Sequence, residues 1–142
     1  MSAVQLVQAL QLVLQNAVPD ANVVIGMPKI IHDSILVYLW RDGVPRDILK
    51  TTDTIHRQHQ IHIHLLVQST GDDVNAELLY MDLADRISDC FQTNRRLLGT
   101  AVNSLAIAPK PLGSQYLFAD SAEYRAGAWI WTAEEQLSFA FA

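Results

Sequence analysis

Four histidines crowd one short stretch, His56, His59, His62 and His64, and they are the residues most able to do chemistry. Alternation along a strand puts His62 and His64 on one face, so two imidazoles could approach a single metal ion. A working metal site needs three or four ligands and further groups that orient them. No cysteine or glutamate lies close by in the sequence, and Asp53 falls in a loop. The stretch therefore reads as a polar sheet face whose packing would respond to protonation near about pH 6. A metal-binding domain built on the His62/His64 strand is the alternative. No metal and no cofactor is expected.

Other reactive side chains have structural readings. Cys90 is the sole cysteine. It falls on the apolar stripe of a helix near its C-terminal end, whereas a low thiol pKa needs a helix N-terminus or a nearby cation. It reads as core, and a lone cysteine leaves no intrachain disulfide, which suits a reducing compartment. Asp85 and Asp89 stand one turn apart, with Asp82, on an outer helix face that water screens. Gly99, Gly113 and Gly127 are isolated, with neither phosphate-cradling spacing nor a nucleophile elbow. The expectation is a protein that is not an enzyme.

The elements that must position these residues follow from composition and period. The chain has 142 residues, half of them apolar and 18% charged, enough for one core without disulfides. A single domain over 1–142 is expected. Ten basic against fifteen acidic residues give a net charge of −5. The basic residues are scattered, so stable nucleic-acid binding is not expected. The N-terminal stretch lacks a signal peptide's positive region, and its glutamines and Pro19 make it too polar and too short to span a bilayer. The chain reads as soluble and intracellular, with no membrane partner.

Residues 2–17 have a helical apolar stripe, Leu6, Leu10, Val13 and Ala17, with Ser2 and Gln5 placed as a capping box. The opposite face carries glutamines rather than charges. It either meets another subunit or is simply solvated. Asn22 to Ile25 and Ile35 to Arg41 read as strands, and His59 to Gln68 alternates clearly, with Ile61, Ile63, Leu65 and Val67 on one side. Leu66 interrupts the polar side, so that end should be covered. Thr70 to Asp73 starts a second helix with buried positions Ala76, Leu79, Leu83, Ile87 and Cys90, an Asp82–Arg86 pair, and stop signals at Asn94 and Gly99. Ala101 to Ala108 and Ala126 to Ala133 complete the strands. The fold class is α+β, a mainly antiparallel five-stranded sheet packed by two helices in the order α-β-β-β-α-β-β.

Three features exceed what a monomer requires: long loops near 42–57 and 109–125, and an apolar tail over 134–142. Exposed apolar and aromatic groups mark partner contacts. Gln8, Gln15, Leu112, Tyr116, Phe118, Trp129, Trp131, Phe139 and Phe141 are therefore candidates for a subunit or tube interface. The alternative is that loop and tail fold back on their own domain.

Arg57 through Gln68 (RQHQIHIHLLVQ), the helix containing Leu83-Ala84-Asp85-Arg86-Ile87 and its Leu97-Leu98-Gly99 exit resemble the tail terminator proteins of tailed bacteriophages. The resemblance implies a small α+β subunit that assembles with itself into a hexameric ring on the last ring of the tail tube. That ring halts tube polymerisation and presents a head-joining surface, so the implied partners are the tail tube protein and a head–neck connector. The implied location is the virion tail, assembled in the host cytoplasm. A head-completion or neck connector protein is the nearest alternative. The family supplies no catalytic residues. Six copies at −5 each carry −30, so a lumen of that sign would let DNA pass without stable binding.

Overall fold

The computed structural model describes residues 3–31, 33–69, 73–93, 104–119 and 122–138. The element order is α1 (Ala3–Ala17), β1 (Asn22–Ile25), β2 (Ile35–Arg41), β3 (Arg46–Leu49), β4 (Thr54–Ser69), α2 (Asp73–Thr93), β5 (Ser104–Ala119) and β6 (Ala122–Ser138). The α+β class stands, with a sixth strand added. The sheet runs β1-β2-β4-β6-β5, and β3 joins β4 below the end of β2. Among the described residues only β1 and β2 run parallel, and every other pairing is antiparallel.

Length makes β4 the organising strand. One edge pairs along its whole course with β6, from Thr54 opposite Ser138 to Ser69 opposite Glu123. The other edge takes β2 on residues 61–67 and β3 on residues 55–58. Odd-numbered residues of β4 face both helices: Ile61, Ile63, Leu65 and Val67 join Leu6, Leu10, Leu14, Leu83, Ile87 and Phe91 in the main core. Even-numbered Leu66 belongs to a second, smaller cluster with Leu36, Tyr38, Tyr124 and Ala126, which covers that end of the polar side as its sequence implies.

Two loop expectations are corrected. The 42–57 segment holds β3 and the start of β4 as a hairpin, closed where Lys50 and Thr51 amides donate to the Thr54 carbonyl at 3.0 and 3.2 Å. The Asp53 carboxylate accepts the Thr51 hydroxyl at 3.0 Å, a turn stabilised by a side chain. The 109–125 segment is mostly strand: β5 and β6 pair from Ser104 opposite Glu135 to Ala119 opposite Ala122. Pro109 and Pro111 interrupt the period there, and the ladder absorbs them with register shifts between Ile107 and Lys110 and between Pro111 and Gly113. An edge strand tolerates proline because its outward amide has no ladder partner to lose. Likewise β6 runs on to Ser138, so most of the expected tail is sheet. Ser2, Thr70–Asp72, Asn94, Leu97–Gly99, Phe139 and Phe141 lie outside the described residues.

The glutamines of α1 have a local use. Gln11 Nε2 donates to the Val23 carbonyl and Gln15 Nε2 to the Ala21 carbonyl, both at 3.0 Å. Gly26, at φ +93°, donates from its amide to the Leu39 carbonyl, so the backbone amides and carbonyls of even residues along β1 point to β2 and those of odd residues point to the outer edge. Two glutamines one turn apart thus fill two outward acceptors two residues apart. This blunts an edge that would otherwise invite another strand.

Gly127 in β6 carries a close approach to α2. A Cβ there would collide with the Tyr80 hydroxyl, so the α2–β6 contact requires a residue without a side chain. Gly127→Ala is expected to lower stability by about 1–3 kcal/mol through overpacking. Adding Tyr80→Phe, which removes the nearest atom, should recover part of that loss, read as urea midpoints.

Candidate functional site

The helix-free face of the sheet carries the residues that looked chemical. Register sets Tyr38 opposite His64 and Trp40 opposite His62. The four rings stack in a zigzag between the two strands. His62 to Trp40 is 5.0 Å at 4°, Trp40 to His64 is 4.8 Å at 18°, and His64 to Tyr38 is 4.9 Å at 12°. Trp40 is therefore held between two imidazoles. Cross-strand pairs of this kind contribute roughly 0.2–1 kcal/mol each, so the column is a structural asset. At its open end, Asp42 Oδ2 lies 3.4 Å from His62 Nε2. His59 sits on the other face, buried in the helix-covered side. Among the described residues no three His, Cys, Asp or Glu side chains come together in a way that could hold a metal.

Burial, reinforced by the neighbouring His62, holds the His64 imidazole below its ordinary value of 6.5. The unfolded chain then binds the proton more readily than the folded one, so stability is highest above 6.5 and declines as pH falls through it.

On the opposite side, α2 is clamped to β6 through Arg125. Its Nε donates to Glu77 Oε2 at 2.5 Å, and its guanidinium lies 4.2 Å from the Tyr80 ring centre and 5.3 Å from that of Tyr116. Burial opposes its charge, but the Glu77 hydrogen bond and carboxylate outweigh that and raise its pKa. Cys90 is buried, and burial with the adjacent Asp89 pushes its thiol up to about 12. Asp82, Asp85 and Asp89 are exposed on α2, and Asp82 accepts Arg86 at 3.0 Å.

The expected interface residues separate. Trp129 and Trp131 are core, Trp131 packing 4.9 Å from Phe91, so they offer no surface to another subunit. Their alternation marks one face of β6, and that face lies beneath α2. Gln15 is engaged with Ala21, while Gln8 is exposed. Tyr116 is half exposed beside Arg125. Leu112 and Phe118 fall in β5, with side chains outside the described part.

Sequence reading missed two surface features. A groove of about 450 Å³ opens between the first two turns of α1 and the ends of β1 and β2, lined by Val4, Val7, Gln8, Ile25 and Arg41. An apolar ridge, Val74, Leu78 and Met81, runs along the outward side of α2. Its i, i+4, i+7 spacing was available as a signal, but the stronger stripe beneath it defined the helix. No helix among the described residues is long and apolar enough to cross a membrane.

No protein-family model and no curated protein matches the chain. Among solved structures, a chain from a structure described as the virion of a native gene transfer agent particle shares the fold. It has a TM-score of 0.51 and 16% identity, covering 87% of this chain and 84% of that one.

Two outcomes are expected. Chemical denaturation at a series of pH values should show stability falling as pH drops below 6.5, with His64→Phe flattening that dependence. Cys90 should resist thiol-disulfide reagents in the folded protein and react once denaturant exposes it.

Proposed function

We propose that this chain is a virion structural protein of the phage type, a tail terminator that forms a ring on the end of a tail tube. The observation that carries the reading is the fold shared, over most of both chains, with a chain of a virion particle. Consistent with it, the histidines, the cysteine and the tryptophans are spent on packing rather than arranged around a substrate cleft. In this reading the chain is not an enzyme and uses no cofactor.

The mechanism is geometric. A tube grows because each ring offers the next one the same surface. A ring whose two ends differ can mate with the tube through one end and withhold that template at the other. Closure by rotation requires each copy to carry two different complementary patches, which are repeated around the ring. The outer end is then free to take the head–neck connector. A lumen sharing the chain's net negative sign would repel DNA, so passage would need no stable binding.

Mixing the purified chain with isolated tail tubes and tube protein should give rings at tube ends by electron microscopy, and tubes that stop lengthening. Unchanged lengthening with bare ends would contradict the proposal. Binding to a portal complex in place of tube ends would favour the neck connector.

A further inference from the structure

We propose that the α1–β1 groove of one copy receives the outer ridge of α2 from a second copy, with Arg41 facing Asp85. The inference rests on the ring reading only in taking self-assembly as the chain's mode of action. The two surfaces themselves are read from the fold.

The groove is an apolar hollow with a single guanidinium. Val4 and Ile25 are 65% and 48% exposed at its rim, so large aliphatic groups face solvent there. Arg41 has no ion-pair partner among the described residues. A cation beside exposed apolar walls matches an occupant that brings both aliphatic side chains and a carboxylate.

An added strand is a poor occupant. The outward acceptors of Ala21 and Val23 are already filled by Gln15 and Gln11, so little of the β1 edge is left to extend a ladder. What the site can take is side chains projecting from a helix, in the manner of helix-in-groove recognition.

The outer face of α2 has that composition. Val74, Leu78 and Met81 are 69%, 59% and 51% exposed and stand in line one turn apart. Asp85 continues the same line by one more turn, exposed and with no ion-pair partner among the described residues. Neighbouring Asp82 is by contrast already neutralised by Arg86. Three apolar groups followed by an unpaired carboxylate thus complement an apolar hollow holding an unpaired cation. Groove and ridge are different surfaces of one chain, so the contact is heterologous and propagates from copy to copy until rotation closes it.

The test is charge exchange in the full chain, read by analytical ultracentrifugation and by capping of tail tubes. Arg41→Glu and Asp85→Arg should each weaken self-association by roughly tenfold to a hundredfold, as loss of an interfacial charge pair does. The double variant should restore it, and Leu78→Asp should abolish it with an unchanged circular dichroism spectrum. Assembly or capping that ignores all of these variants would overturn the contact and leave the terminator reading standing. Rescue by the double variant in solution, with no binding to tubes, would overturn the terminator reading alone. A wild-type chain that neither associates nor caps would overturn both.

Discussion

The register between β2 and β4 is the constraint on which the rest of the molecule depends. A central strand that is apolar on one side and imidazole-bearing on the other must be buried asymmetrically. A slip of one residue would drive His62 and His64 beneath the helices and lift Ile61 and Ile63 into their place. Tyr38 and Trp40 fix the register from the other side, because only this alignment interleaves their rings with the imidazoles. Both helices are then obliged to lie on the odd face. The even face keeps a column of stacked rings and a small cluster around Leu66 and Tyr124.

With the helices committed to one layer, their outer faces become the molecule's distinctive surface. α1 spends Gln11 and Gln15 on the β1 edge and exposes Val4 and Gln8 beside Arg41. α2 is locked by Arg125 and Tyr80 against β6 and turns Val74, Leu78 and Met81 outward. Rigid placement matters for a protein proposed to act by fitting surfaces, since assembly geometry is only as defined as the elements that carry it.

Much of this organisation is legible from period alone. The bounds of β1 and β2 coincide with their expected ranges, both helices fall where expected, and the alternation of β4 separates its faces correctly, but Leu79, expected in the buried stripe of α2, is exposed at the edge of that stripe. What is not legible depends on partners distant in sequence. Pro109 and Pro111 look like the end of a strand unless β5 is known to be an edge. The alternation of Trp129 and Trp131 states that they share a face, but only the position of α2 makes that face interior. The glutamines look like an uncharged surface until β1 supplies their acceptors. The zigzag of rings requires the β2–β4 register, which neither strand reveals by itself. The resemblance to tail terminators implies an α+β subunit, and the two helices and mixed sheet of the structure are of that class.

The account turns on the histidines being committed to architecture rather than to chemistry, and imidazole proton NMR tests that most directly. Held against the indole of Trp40, the ring protons of His62 and His64 should both be shifted upfield from free histidine; in a chain that remains folded, Trp40→Leu should abolish the shift of His62 and leave His64 only the part owed to Tyr38. Imidazole signals at free-histidine positions in the native protein, or signals that move together on adding stoichiometric zinc, would contradict it.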